Sequence, residues 1–531
     1  MKVSSIFKYI FIIFAIGIII YAGYIIYNNQ IANASENTQE VVNAEENIIK
    51  DLRLAVTDFD TINPLITNNK EILNIDTLIF DPLFSLNENY ELIPCLATEC
   101  SKTGDNTYVI KLDNTIKWTN GLSLDADDVK FTIETIKNGN SVYKYNVEHI
   151  SNIEIIDNGT IKLTLDANIP FFEYYLIFPI LSSTQYNGED FYASQQVPIG
   201  TGRYQISNVS TNSITLTYNQ NWKNPKNEDI KIENIRINIY SSMGEAYNSF
   251  KIGNVDFLNT SNPNFQEYIG TIGFNKTEYL GREFDFLALN CQDTILQDSA
   301  VRQAIGYAID KDHIVTSVFN NQKAVSEYPL DYGNYLYQAN EASSGYNPDQ
   351  ARNILEENGW TYRNNRWRKN IDGRTRYLDL KISVKENDSA RVQVAELIED
   401  QLENIGISVT VDKISDNEYS NYIQEKDYQI LLTGVYTSYT PDLMYYFSQG
   451  NISNYSSDTM NELMQNASIL SDENQLIEAY QKIYSQYKTD MPFIGLYRNK
   501  NISISSQSVV GTITPTNYTT YTGLETWYRN S

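Results

Sequence analysis

From Tyr9 to Tyr27 the chain carries no charged residue and is rich in Ile and Phe. As a helix this run covers roughly 28 Å at 1.5 Å per residue, close to the apolar thickness of a bilayer. Lys2 and Lys8 precede it and the next basic residue is Lys50, so the positive-inside rule leaves the N-terminus in the cytoplasm and everything after Tyr27 outside. Ala32-Asn33-Ala34 before Ser35 has the form of a signal-peptidase site. The apolar run, however, exceeds the usual h-region of about 7–15 residues. An uncleaved, single-pass transmembrane anchor over residues 1–28 is therefore expected, with the body on the extracytoplasmic side of the cell membrane. No cysteine occurs before Cys95, so the helix itself must hold the chain there.

Residues 29–50 are mostly Asn, Glu, Gln and Ala and read as a polar linker. The rest of the 531 residues is too long for one ordinary domain and predicts two or three lobes. Sixty-six acidic against 40 basic side chains give a net charge of -26, which repels phosphate backbones and excludes nucleic acid as a partner. Three cysteines, Cys95, Cys100 and Cys291, do not make a disulfide scaffold, and free thiols are expected. His149 and His313 are the only histidines, too few for a His-based metal site or a Ser-His-Asp triad. No nucleophile-base pair or nucleotide loop is visible. The chain therefore reads as a binding module without cofactor or metal, and not as an enzyme. A carboxylate-pair enzyme such as a glycosidase stays open on composition alone.

Leu52, Leu54 and Val56 alternate with Arg53 and Ala55 as an inner strand does. Ile72 to Phe80 reads as a helix. Thr107 to Leu112 alternates as a strand, and Asp125 to Ile136 reads as a helix with Asp125 as its N-cap. Asp157-Asn158-Gly159 between two alternating runs predicts a hairpin. Further strands flank Val209 to Ser213 and cover Ile230 to Tyr240. In the second half, helices are expected over Ser299 to Phe319, Asn347 to Asn358 and Ser389 to Asn404. Strands over Leu378 to Val384 and Ile407 to Val411 enclose the last of these. That is the β-α-β grammar of a right-handed crossover and a mainly parallel sheet.

Several segments, in order along the body, resemble the family 5 extracellular solute-binding proteins, the oligopeptide- and dipeptide-binding proteins of ABC importers. They are Thr61-Ile62-Asn63-Pro64-Leu65; Leu92-Ile93-Pro94-Cys95-Leu96-Ala97; and Trp118-Thr119-Asn120-Gly121 with Ala126-Asp127-Asp128-Val129, similar to a W-x-x-G and A-x-D-V block. Pro198-Ile199-Gly200-Thr201-Gly202-Arg203-Tyr204, Gly253-Asn254-Val255-Asp256 and Val301-Arg302-Gln303-Ala304-Ile305 follow. Trp118 reads as an aromatic packed beside a turn, and Gly121, Gly200 and Gly202 as turn glycines at positive φ. Two departures stand out: Cys100 where the family often has tryptophan, and Arg203 where it often has proline.

The resemblance implies an α/β, two-lobed fold of the large type II periplasmic-binding-protein kind, with an extra inserted subdomain, behind the transmembrane helix. Lobe I would comprise residues 51–74, 198–283 and 501–531, the insert 75–197 and lobe II 284–500. It also implies a monomer that takes peptides or peptide-like solutes between its lobes and hands them to an ABC transporter permease. A membrane-tethered receptor or a peptide scavenger without a transporter is the alternative. Gly434 to Asp442 is similar to the family's ligand strand of pattern G-W-x-x-D-Y, so Val435, Tyr436, Thr437, Ser438, Tyr439 and Thr440 would face the ligand, with Phe59, Asp60 and Thr61 closing the other side. Main-chain pairing by such a strand suits ligands of varied sequence. In peptide binders of this type the aspartate of that pattern receives the ligand's α-ammonium group; here Ser438 stands in its place.

Overall fold

The computed structural model describes residues 48–186, 191–194, 196–224, 229–338 and 345–531. The expected anchor, residues 1–28, and most of the linker lie outside these residues. Among those described, no helix is long and apolar enough to cross a membrane. The linker ends earlier than expected. Ile48 and Ile49, two apolar residues at its end, pair antiparallel with Asn530 and Arg529 and so belong to the folded body.

Ten strands carry the main sheet: β1 (Asp51–Thr57), β2 (Tyr204–Val209), β3 (Ser213–Tyr218), β4 (Asn234–Tyr240), β5 (Phe257–Thr260), β6 (Phe274–Leu289), β7 (Asp379–Lys385), β8 (Ser408–Ile414), β9 (Ile430–Tyr436) and β10 (Phe493–Ser506). Their order is β8-β7-β9-β6-β10-β5-β1-β4-β3-β2, and an eleventh strand, Lys323–Val325, pairs with β10. In β1 the alternation holds, with Leu52, Leu54 and Val56 buried. β4 and β5 both run parallel to it. β7 and β8 are parallel and joined through helix Ser389–Glu403, the expected crossover.

The centre of the sheet differs from a parallel pattern. β6 and β10 are antiparallel to each other, β6 is antiparallel to β9, and β10 to β5. β6 has 16 residues, about 50 Å at roughly 3.3 Å each, and with β10 it forms the centre of the sheet. Their register shifts twice midway: Leu280 faces Lys500 but Phe284 faces Arg498, and Asp285 faces Tyr497 but Phe286 faces Gly495.

The segment between β1 and β2 adds an antiparallel sheet of Ala97–Gly104, Thr107–Leu112, Thr160–Leu165 and Ile150–Asp157, in that order. Helix Ala126–Asn138 packs with it and is capped by Asp125, as expected, with a reciprocal bond from Asp128. One core joins this sheet to β1 and β4 through Leu54, Ile110, Ile133 and Ile237. A second surrounds β7 and β8, with Ile382, Val394 and Val409. A third, rich in tyrosine, joins Tyr90 and Tyr174 to Tyr328, Tyr446, Tyr480 and Phe493.

Three local expectations need correction. Residues 299–319 form two helices, Ser299–Ala308 and Lys311–Phe319, because the Asp310 side chain accepts from His313 N and starts a second N-terminus. The helix expected from Ile72 starts earlier and stops sooner, over Lys70–Asp76; Asn69 caps it through Glu71 N and Ile72 N. Gly121 has φ +86°, but Gly200 and Gly202 are not at positive φ. They are small because the chain passes close to Ile79. A Cβ on Gly200 would lie 1.8 Å from the Ile79 carbonyl oxygen, and Gly202 N donates to that oxygen at 2.9 Å.

Candidate functional site

A cavity of about 980 Å³ lies between helix Lys70–Asp76, the middle of β6 and β10, the segment after β9, and Tyr143 and Tyr174 of the segment between β1 and β2. The short helix presents Lys70, Leu73, Asn74 and Thr77 to it, positions spaced to share one helical face. β6 contributes Tyr279 and, from the irregular stretch between Leu280 and Phe284, Arg282; β10 contributes Asn499 and Asn501.

Arg282 ties the middle of β6 to the segment after β9. Its Nε donates to Thr437 O at 2.6 Å, Thr437 N donates to Arg282 O at 2.8 Å, and the guanidinium lies 4.1 Å over the Tyr439 ring. Tyr439 in turn donates from its hydroxyl to Asn517 O at 2.6 Å and meets the Tyr518 ring edge-on. The wall opposite is partly charged. Arg203, the residue in place of proline, pairs with Glu525 at 2.8 Å, and Lys223 pairs with Asp113. Glu71 accepts from Asn259 Nδ2 at 2.9 Å, while burial pushes its carboxyl up. Burial also pushes the Asp81 carboxyl up, to about 6, against the hydrogen bond from Thr201 Oγ1. Asp76 is buried in the wall, and burial, with Asp60 nearby, raises its carboxyl well above the usual range.

The residues singled out from sequence fall in two groups. Tyr436, Ser438, Tyr439 and Thr440 line the cavity. Tyr436 is exposed with the Lys70 ammonium 5.6 Å from its ring centre, and Ser438 Oγ accepts from Thr440 N at 3.2 Å. Val435 and Thr437 are not part of the lining; Val435 packs against the tyrosine-rich core and Thr437 is buried. Phe59, Asp60 and Thr61 also lie off it. Phe59 packs against the first core. Burial works to raise the Asp60 carboxyl, but bonds from Thr67 Oγ1, Asn68 N and Thr61 N outweigh it and hold it below its usual range. Asp60 thus organises its own loop.

Sequence reading missed the Lys70–Thr77 wall and Arg282. One signal was present: Asp76 sits four residues after Ile72 and next to Ile75, an acid on an otherwise apolar face. The three cysteines are free, and His149 Nδ1 lies 2.9 Å from Asp166 Oδ1. Among the described residues no His, Cys, Asp and Glu cluster could hold a metal ion.

Residues 91–457 match the family model for bacterial extracellular solute-binding proteins, family 5 Middle. The chain belongs to this family. Its members are the extracytoplasmic solute-binding components of ABC importers, which bind and deliver without catalysis. The family 5 chain is 22% identical to the oligopeptide-binding protein AppA of Bacillus subtilis over 482 residues, 85% of this chain and 86% of AppA. It is 23% identical to the glutathione-binding protein GsiB of Pectobacterium atrosepticum over 499 residues, 87% of this chain and 91% of GsiB. The solved structure of HbpA2 from Haemophilus parasuis superposes with a TM-score of 0.74 at 21% identity, covering 91% of this chain and all of HbpA2. That likeness carries the two-lobed α/β fold.

Proposed function

We propose that this family 5 protein captures peptides or peptide-like solutes in the cavity between its lobes and delivers them to an ABC transporter permease. The cavity carries the reading: at about 980 Å³ it lies at the upper end of small-ligand pockets, roughly 300–1,000 Å³, a size that suits a short peptide. The end of β9 supports it further. β7 pairs with β9 only at Ile430 and Leu431, and β9 reaches the cavity at its last residue, Tyr436, beyond the buried Leu432 and Thr433, so a ligand backbone would meet the chain at that end. Tyr436, Ser438, Tyr439 and Thr440 would be the contacts next to it, with tyrosine faces tolerant of varied side chains. AppA and GsiB, named for oligopeptide and glutathione binding, are consistent with such a ligand.

In this reading residues 51–74, 198–283 and 501–531 form lobe I, 75–197 the insert and 284–500 lobe II. The crossing at 283/284 falls within the first register shift of β6, and that at 500/501 lies one residue from its counterpart in β10, which is where a hinge would sit. Residues 1–28 tether a monomeric body to the membrane. Native mass spectrometry of the full-length chain, purified in detergent from its own host, tests the ligand class. A co-purifying peptide mass is expected. A bound mass that is no peptide, together with no calorimetric response to a peptide mixture, would exclude it.

A further inference from the structure

Five carboxylates stand in the cavity wall: Glu71, Asp76, Asp81, Asp113 and Glu525. Four have partners. Glu71 accepts from Asn259, Asp81 from Thr201, Asp113 pairs with Lys223 and Glu525 with Arg203. Asp76 is the exception. It is 3% exposed, and neither carboxylate oxygen has a hydrogen-bond partner among the described residues. A buried carboxylate without donors is a standing cost to a fold. The same position on the helix face is filled economically by any apolar side chain, as Ile72 and Ile75 show one turn earlier and one residue before it.

Such a cost is tolerated where a ligand supplies the missing donors. An ammonium group has three donors and no acceptor, and a carboxylate has acceptors alone, so the two match. Among the described residues, the charge that acts on Asp76 to raise its proton affinity is another acid, Asp60, which also favours an incoming cation. Meanwhile the place where the family resemblance puts an ammonium-binding aspartate holds Ser438, whose hydroxyl oxygen already accepts from Thr440 N. Ser438 and Asp76 line the same cavity.

We propose that Asp76 is the carboxylate that receives the ammonium group of the bound solute, a role moved from the strand after β9 to the helix across the cavity. The inference rests on the peptide-like reading of the ligand given above. Both oxygens are covered in this conformation, so the contact requires neighbouring side chains of the wall to give way to the ammonium. The ammonium comes either from the peptide N-terminus or from a lysine side chain.

Calorimetric titration of the full-length chain and of Asp76→Asn separates these cases with three probes: a short alanine peptide with a free amine, its N-acetylated form, and an N-acetylated form carrying one lysine. Wild type should bind the free amine roughly 10- to 100-fold more tightly than the acetylated peptide, the range of a charge-assisted hydrogen bond. Asp76→Asn should erase that preference and leave the acetylated peptide nearly unchanged. If the lysine probe regains the lost affinity in wild type alone, the site reads any ammonium; if it does not, the site reads the N-terminus. Equal binding of all three probes by wild type, or a preference that survives Asp76→Asn, overturns the assignment and leaves the peptide reading intact. Binding of none of them removes the peptide reading and the assignment with it. The ligand-free melting temperature of Asp76→Asn should match or exceed that of wild type, because a neutral amide is cheaper to bury; a clear fall would make Asp76 a structural residue and overturn the assignment as well.

Discussion

Asp81 lines the same cavity as Asp76, and burial is the main cause that lifts its carboxyl to about 6. In the unfolded chain it ionises near 3.8. Between those values the unfolded state has released the proton and the folded state has kept it, so stability falls as pH rises from about 4 to about 6. Below that window Asp81 carries no penalty, and above it the full penalty. Asp81→Asn is expected to flatten this part of the melting-temperature profile relative to wild type, and parallel profiles would mean that Asp81 titrates normally. Ser438→Asp probes the opposite wall. If Ser438 faces the ligand amine, the added carboxylate should tighten free-amine peptides by roughly tenfold, the lower end for a charged hydrogen bond. The gain shrinks if Asp76 already supplies the charge, since two carboxylates near one amine repel and one tends to take up a proton. Titration with free and acetylated peptide reads the difference.

Helix Ala126–Asn138 shows what the tryptophan motif is for. Asp128 accepts from Trp118 Nε1 at 3.0 Å, from Asp125 N at 3.2 Å, and from Ser183 N and Oγ at 2.7 and 2.9 Å. One carboxylate therefore fixes the tryptophan turn, the helix start and the turn at Ser183 that leads into the short 3-10 helix Thr184–Tyr186. Asp128→Ala leaves the buried indole N–H and the Ser183 N–H without an acceptor, and a loss of roughly 2–4 kcal/mol is expected in urea unfolding; a change under about 0.5 kcal/mol would assign the motif to something other than stability. Elements of this kind were readable in sequence because their signals are local. Thr107–Leu112 was bounded correctly by period-2 alternation, and Asp125 by its capping geometry. Residues 299–319 were not, since apolar spacing runs on through Ile309 and hides the break at Asp310. The site was half readable for the same reason. Tyr436 to Thr440 follow a recognisable strand, whereas Arg282 acquires its role only by meeting Thr437, 155 positions away.

At the scale of the molecule, β6 and β10 are the central spine of the main sheet, and in the proposed division they are shared by both lobes. β10 holds β6 on one side and β5 on the other, although β6 begins at Phe274 and β10 only at Phe493. Removing residues 492–531 would leave β5 and β6 as unpaired edges and take Trp527 and Tyr521 out of the first core. The expected result is loss of a cooperative melt for both lobes, not for one; a surviving sharp transition would show that a lobe stands without the spine. The late position of β10 also orders events in time. A chain that crosses a membrane from its N-terminus exposes β5 and β6 long before their common neighbour arrives, and pairings this distant in sequence form slowly. For that interval two long strand edges are open to strangers, so this protein's exposure to aggregation is set by the delivery of its final segment.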